Sequence, residues 1–288
     1  LGNIKSVTLT GSGGITLAGN IFTANAAANN VSFTGPVKLN AATVVIDTDA
    51  AGNDGTVTFS STLDSADGTS RELDIVSATG NVTITGAIGA TTALATLDIN
   101  QAGGNGNITL TSNIGADVNN AGVTGVSRIG NAATGDLSLD GTVYTTGDVT
   151  TYTGAAIDLG TADPTFTTSN DNITFGTGNV TIRDDLTVNS TGGAISFAGS
   201  ILGSAGTDDT VTLNANGGGG AKTVSVAAIG AANNLGNIKS VTLTGSGGIT
   251  LAGNIFTGNA AANNVSFTGP VLLNAATVAI DTQAAGND

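Results

Sequence analysis

Short stretches in which apolar and polar residues alternate recur along the whole chain, and most of them follow a Gly or an Asn. Asn81–Thr85 and Asn107–Thr111 are typical examples. Because side chains alternate between the two faces of a strand, Val82 and Ile84 share one face and Thr83 lies on the other. The pattern predicts short β-strands with one buried and one wet face. No stretch keeps a helical period over roughly 11 residues, so we expect essentially no helix.

The spacing of these strands is close to constant. Their first apolar positions recur at nearly equal intervals of about 25 residues, as at Val7, Val31, Val57, Val82 and Ile108. A coil of this length accommodates about three short strands separated by turns, and coils stacked about 4.8 Å apart pair their backbones in parallel. The predicted fold class is therefore all-β, a parallel β-helix (β-solenoid) rod with essentially no helix.

The chain also contains a long internal repeat. The segment Leu1–Asp54 returns as Leu235–Asp288 without insertion or deletion. The four differences are Ala24 to Gly258, Lys38 to Leu272, Val45 to Ala279 and Asp49 to Gln283. We interpret residues 1–234 as one full solenoid repeat unit and residues 235–288 as the start of the next unit, continuous with the first. Such repetition is typical of solenoids and arrays, and it suggests a window cut from a longer tandem array.

Two further expectations concern architecture. After Asp117 the strand rhythm loosens, which predicts a longer outward loop before the next clear strand at Asp136–Leu139. A string of β-sandwich domains is the alternative fold. It would require about 100 residues per domain and Trp or Tyr packed between two sheets, whereas the chain has no Trp and only Tyr144 and Tyr152.

Composition narrows the function classes. Aromatic residues make up only 3% of the chain, so we expect a core of Val, Ile, Leu and Ala. Cys, His, Met and Trp are absent, which excludes disulfides, thiolate or imidazole metal ligands and nucleophiles activated by histidine. The net charge of -14 disfavours nucleic acid and anionic membranes as partners. No apolar run approaches the roughly 20 residues that span a bilayer, so no membrane insertion is expected.

Acidic turns are the candidate metal and catalytic positions. Asp47, Asp49, Asn53 and Asp54 form one such turn and Asp208–Asp209 another, and their oxygens could hold Ca²⁺. We favour turn capping for both, with no resident cofactor.

The pair Asp184–Asp185, like Asp208–Asp209, has the carboxylates that glycoside hydrolases use. The chain offers few basic or aromatic residues that could orient a substrate, so we assign no catalytic residue and expect no enzyme activity.

Seven Asn-X-Ser/Thr sequons could indicate glycosylation. They begin at Asn30, Asn81, Asn107, Asn172, Asn179, Asn189 and Asn264. Six have an apolar residue after the Asn and lie at a strand entrance, where Asn supplies the turn and Thr the wet face. Asn189 is the exception, since serine follows it. We therefore interpret the sequons mainly as structural.

The segments Gly55–Ile75, Gly80–Asn100 and Gly104–Ala116 resemble the β-strand repeats of giant bacterial surface proteins similar to filamentous haemagglutinin-type adhesins. This resemblance implies secretion, a right-handed parallel β-helix shaft and a role in adhesion or in an extracellular fibre. The expected function is a non-enzymatic structural or adhesive fibre on the bacterial cell surface. The alternative is a carbohydrate-binding or carbohydrate-degrading β-helix. The expected partners are further copies of the chain, end to end or laterally, together with glycans or other cell surfaces.

Overall fold

The computed structural model describes residues 4–24, 29–49, 54–160, 163–169, 171–204, 209–217, 219–232, 238–258 and 263–282. Within these ranges the chain forms strands and turns and no helix. All the strand pairs are parallel, and each strand pairs with strands about one coil away in the sequence. The fold is an all-β parallel solenoid, which confirms the predicted class and excludes the β-sandwich alternative.

Three ladders run along the solenoid, and each coil visits them in the order A, B, C. Face A contains β1 (Val7–Thr10), β4 (Val31–Thr34), β7 (Val57–Phe59), β10 (Val82–Ile84), β12 (Ile108–Leu110), β14 (Asp136–Leu139), β17 (Ala156–Leu159), β20 (Asn179–Ile182), β27 (Ile255–Phe256) and β30 (Ile280–Asp281).

Face B contains β2 (Ile15–Leu17), β5 (Val37–Leu39), β8 (Leu63–Ser65), β15 (Val143–Thr146), β18 (Thr165–Thr168), β21 (Leu186–Ser190), β23 (Asp209–Ala215), β25 (Ile238–Gly245) and β28 (Val265–Thr268). Single-residue bridges at Ile88 and Ile114 connect β8 to β15 and keep this ladder continuous.

Face C contains β3 (Ile21–Phe22), β6 (Thr43–Asp47), β9 (Glu72–Val76), β11 (Thr96–Ile99), β13 (Ser127–Ile129), β16 (Thr150–Tyr152), β19 (Ile173–Phe175), β26 (Gly248–Leu251) and β29 (Val271–Leu273). Two longer strands, β22 (Ile195–Gly203) and β24 (Thr223–Ile229), turn the corner from face C into face A and pair on both.

The strand register follows the spacing in the sequence. Val7, Val31, Val57, Val82 and Ile108 stack directly on one another along face A. Intervals that differ in length are absorbed at the corners, so the columns stay aligned. The inward and outward assignment of the strands is confirmed as well, since the apolar positions of β10 and β12 are buried and their threonines face outward.

The predicted outward loop lies at the corner between faces B and C. Residues 116–120 are exposed, and Asp117 and Asn120 form an antiparallel bridge there. The loop ends earlier than expected, because β13 pairs with β11 before the chain reaches Asp136. The sequence pattern misses β13 because Arg128 takes its outward position and Ser127 one of its inward positions.

The expectation of a core built from Val, Ile, Leu and Ala is incomplete, because aromatic side chains are buried as well. Phe33 and Phe59 stack in the early coils, and a larger aromatic group lies in the middle coils. Tyr144, Tyr152, Phe166, Phe175 and Phe197 are all buried, and their rings form one cluster across faces B and C. Stacked pairs along each face, such as Phe175 and Phe197 with ring centroids 4.3 Å apart, alternate with edge-to-face contacts across the interior. A few aromatic residues are enough to fill this part of the core, because the register stacks their rings on one another.

The two copies of the repeated sequence occupy different faces. β1 lies on face A, whereas β25, which carries the same residues 234 positions later, lies on face B and pairs with β23 and β28. In the same way β2 on face B corresponds to β26 on face C, and β3 on face C corresponds to β27 on face A. The second copy is therefore turned by one third of a turn about the solenoid axis.

The offset follows from the number of coils. Nine coils separate the two copies. Their face A strands are β1, β4, β7, β10, β12, β14, β17, β20 and the second half of β22. The chain then advances by one more face and reaches β25 on face B. One repeat thus occupies nine and one third coils, which at about 25 residues per coil agrees with the strand spacing in the sequence. The repeat length is therefore not a whole number of coils.

Local geometry is nevertheless the same in both copies. The Nδ2 group of Asn29 donates to the carbonyl oxygen of Ala24, and Nδ2 of Asn263 donates to the carbonyl oxygen of Gly258, its counterpart. Gly35 and Gly269 adopt φ values of 123° and 126°. Each coil is reproduced as a unit and is placed on the solenoid at a different azimuth.

Candidate functional site

Asparagines at the strand entrances connect adjacent coils. The Oδ1 atom of Asn81 accepts a hydrogen bond of 2.9 Å from the backbone N–H of Asn107 in the next coil, and Asn107 does the same for Asp136. Equivalent bonds extend from the side chains of Asn20, Asn30, Asn113, Asn172, Asn179 and Asn254. A backbone donor that the turn would leave unpaired is satisfied in this way. These contacts support the structural interpretation of five of the seven sequons.

Asn81→Ala is expected to lower the free energy of unfolding by about 1 kcal/mol, because the N–H of Asn107 loses its acceptor. Asn81→Asp keeps an acceptor oxygen at the same place and should recover most of the loss. Urea unfolding followed by circular dichroism measures both variants. Equal losses for the two variants would show that the side-chain acceptor is not what stabilises this corner.

The acidic turn at Asp47 uses its carboxylates within the fold. Oδ1 of Asp47 accepts from the backbone N–H of Asp49 at 2.8 Å. Asp54 is buried, and its Oδ2 accepts from the backbone N–H and the hydroxyl of Thr79 at 2.8 and 2.6 Å. The two side chains therefore cap different turns. Asn53 lies outside the described residues, and calcium binding at this turn stays a prediction.

The other acidic pairs are also placed by the backbone. Oδ1 of Asp185 accepts from the N–H of Thr210 at 2.7 Å and so connects two coils. A hydrogen bond with Asp184 raises the pKa of Asp163, an exposed neighbour across the same corner. Asp209 begins β23 and is buried, whereas Asp208 lies outside the described residues. In the described ranges no three acidic side chains converge into a group that could hold a metal ion.

An acidic column lies on the outer side of face C. Asp74 stacks directly below Asp98, and Asp98 stacks below Arg128, with which it forms an ion pair of 3.0 Å. Partial burial, together with the charges of Asp98 and Asp47, raises the pKa of Asp74. Burial also raises the pKa of Asp98, although Arg128 opposes the shift. The column is an electrostatic cost of folding, which Arg128 reduces at Asp98.

This column predicts a pH dependence with a definite sign. A carboxyl whose folded pKa is raised holds its proton more tightly in the folded state, so stability falls as the pH rises above about 3.9, the unfolded value for Asp. Asp74→Asn should therefore raise the free energy of unfolding at pH 7 and leave it nearly unchanged at about pH 4. Denaturant unfolding at the two pH values measures the difference.

Asp67→Asn is the matched control, because Asp67 is exposed in a turn and its substitution removes the same charge. If the two variants respond equally to pH, the effect comes from net charge and not from the stacked carboxylates.

The open grooves on the outer surface of the described ranges include one on face A and one on face B. The first, on face A, is lined by Asn107, Thr109, Asp136, Ser138 and Asp158 among others, and Oδ1 of Asn107 is already engaged there. The second lies on face B, has a volume of about 310 Å³ and is lined only by uncharged residues. Asn189 lies in this second groove, which sets it apart from the sequon asparagines that connect coils.

The face B groove is assembled from residues far apart in the sequence. Asn189 and Asn214 stack in adjacent coils, and Val118 and Asn119 reach the groove from the outward loop of an earlier coil. Sequence reasoning did not find this site. The sequence carried one signal for it, namely that serine follows Asn189 where the other sequons have an apolar residue.

Comparison with models of protein families, with curated proteins and with solved structures gives no match to this chain. No helix in the described ranges has the length and hydrophobicity that a membrane span requires.

Proposed function

We propose that this protein is a non-enzymatic shaft segment of an extracellular fibre with structural and adhesive roles on a bacterial surface. The observation that supports the proposal is the continuity of the ladders through the repeat. β23, β25 and β28 form one parallel ladder across the point where the sequence returns, and β24, β26 and β29 form another. Repetition of this kind adds length to a rod, whereas an enzyme gains nothing from it.

Self-association belongs to the same proposal. The partners that we propose are further copies of this chain, joined end to end or laterally, because parallel ladders accept further strands wherever an edge is open. Glycans or other cell surfaces are proposed as additional partners.

The offset between the copies gives the fibre a further property. Since each unit is turned by one third of a turn, successive units present the same surface features on faces A, B and C in succession. A fibre of several units would therefore expose each feature in three directions. This arrangement suits an adhesive shaft, because the orientation of the fibre about its own axis no longer matters for contact.

Localisation and chemistry follow from the same proposal. The net charge of -14 is consistent with a solvent-exposed extracellular fibre. The alternative function, carbohydrate degradation, would use the acidic pairs as catalytic groups. One member of these pairs, Asp185, instead accepts a hydrogen bond from the backbone of the next coil. Binding of carbohydrate, in contrast, is compatible with a fibre.

Electron microscopy of the negatively stained protein tests this proposal. Rigid rods are expected, with a length that grows by about 4.8 Å per coil, and they should join end to end as the protein concentration rises. Beads connected by flexible linkers would contradict a continuous shaft. Monodisperse single rods at high concentration would contradict self-association.

A further inference from the structure

We propose that the groove on face B binds a neutral saccharide. This inference rests on the adhesive role proposed above and specifies its ligand class and its site. The groove residues that carry the argument are Val118, Asn119, Thr167, Asn189, Asn214 and Asn216.

The asparagines of this groove differ from those at the strand entrances. At the strand entrances, Asn side chains accept hydrogen bonds from the backbone of the next coil, as Asn81 and Asn107 do. In the part of the chain that the structure describes, the side-chain amides of Asn189, Asn214 and Asn216 form no hydrogen bond, although Asn189 and Asn214 stack in register. Each amide therefore offers an unused carbonyl acceptor and an unused NH₂ donor at the surface.

A buried hydroxyl points to the same place. The Oγ1 atom of Thr167, one position below Asn189 in the outward column, is buried and has no hydrogen-bond partner. Leaving a buried hydroxyl unpaired costs about 1–3 kcal/mol, so such groups usually have a partner. A ligand in the groove could supply it.

The wall of the groove is held in place. The hydroxyl of Thr145 donates to the backbone carbonyl of Asp117 at 2.9 Å, and the Asp117 carboxylate accepts from the N–H of Asn119 at 2.7 Å. These bonds fix the outward loop, and Val118, which is 43% exposed, lies at the groove with Asn119 beside it. A preformed wall reduces the entropy lost when a ligand binds.

The chemistry of the lining selects the ligand. No charged side chain lines the groove, so a charged ligand would find no counterion there. Sugar hydroxyls are both donors and acceptors, which matches a row of amides, and Val118 can pack against the C–H face of a ring. A peptide is less suitable, because peptides that add to sheets need an unpaired edge. The floor strand β21 is paired on both sides, with β18 and β23.

The volume of about 310 Å³ fits a small saccharide or a short stretch of a chain. No aromatic ring is available for stacking among the lining residues, so a single site should bind weakly. Several sites along a fibre would bind a polymer more tightly, because they act together.

The test uses the whole chain with three soluble neutral polysaccharides, dextran, mannan and galactan, and with polygalacturonate as the anionic comparison. Affinity electrophoresis compares the unsubstituted protein with the double variant Asn189→Ala/Asn214→Ala. We expect retardation by at least one neutral polymer, none by polygalacturonate, and roughly tenfold weaker binding in the double variant.

Two further variants make the result specific. Asn105→Ala removes another exposed asparagine without a side-chain hydrogen bond, away from the groove, and should bind as the original protein does. Val118 lies in the outward loop, so Val118→Arg leaves the strand ladders intact. The long arginine side chain should block the groove, and this variant therefore tests the site even if the double variant misfolds.

Three results would overturn the proposal: no retardation by any neutral polymer, unchanged binding in both groove variants, or preference for polygalacturonate. Rods seen by electron microscopy without saccharide binding would remove only this site and leave the fibre proposal in place.

Discussion

Gly80→Val is expected to lower the free energy of unfolding by about 3 kcal/mol or more, at the upper end of overpacking effects. A Cβ atom on Gly80 would lie 2.1 Å from the carbonyl oxygen of Gly55 in the coil below. This oxygen belongs to the backbone, so the clash can be relieved only by moving one coil away from the next. Equilibrium urea unfolding measures the effect.

The substitution is severe because Gly80 belongs to a column of glycines at the corner between faces C and A. The members are Gly55, Gly80, Gly106, Gly135, Gly154, Gly178 and Gly199. Glycine is required here because the backbones of adjacent coils approach each other closely. A turn conformation is not the reason, since it would show as a positive φ and none of these glycines has one.

Gly13→Ala provides the control, since a Cβ there meets nothing within 4 Å. Its effect should stay within about 0.5 kcal/mol. A Gly80→Val variant as stable as Gly13→Ala would mean that the coils are not stacked in this register.

Ile84→Ala and Leu110→Ala are expected to cost about 2–5 kcal/mol each. Both side chains are buried, and they stack on each other in the interior of face A. Thr83→Ala and Thr109→Ala remove outward hydroxyls from the same two strands and should be nearly silent, within about 0.5 kcal/mol. Thermal or urea unfolding of the four variants compares the two sides of one sheet. Equal damage at Thr83 and Ile84 would reverse the assignment of inside and outside.

The sequence predicts each coil better than it predicts the relation between coils. Alternation along a strand determines which side chains are buried, and constant spacing determines which strands stack, as for Val57 and Val82. Both signals are local. Corner lengths vary, however, and the interval from Ile108 to Leu137, which stacks on it, is longer than the usual coil. Small differences of this kind accumulate over many coils, so the face occupied by β25 could not be predicted from the strand pattern.

The groove and the aromatic cluster were missed for the same reason. Tyr144, Phe166 and Phe175 belong to different strands, and only the three-dimensional register brings their rings together. Val118 and Asn214 are almost 100 positions apart and meet because the outward loop leans along face B. A composition of 3% aromatic residues carries no information about such proximity.

Disulfide cross-linking across β25 tests most directly whether the repeat is turned by one face. The chain has no cysteine, so two introduced cysteines can pair only with each other within one molecule. Ser240 stacks on Thr210 on face B, and their hydroxyl oxygens are 3.4 Å apart. Neighbours in a ladder lie about 4.8 Å apart, within the reach of a disulfide.

The Thr210→Cys/Ser240→Cys protein should form an intramolecular disulfide on mild oxidation, which mass spectrometry and the mobility of the unfolded chain would report. If β25 instead lay on face A, as β1 does, it would continue above Ile229 and bring Ser240 over Ala228. Our account predicts rapid cross-linking of the first pair and none for Ala228→Cys/Ser240→Cys. The opposite result would contradict the turned repeat and with it the three-directional fibre.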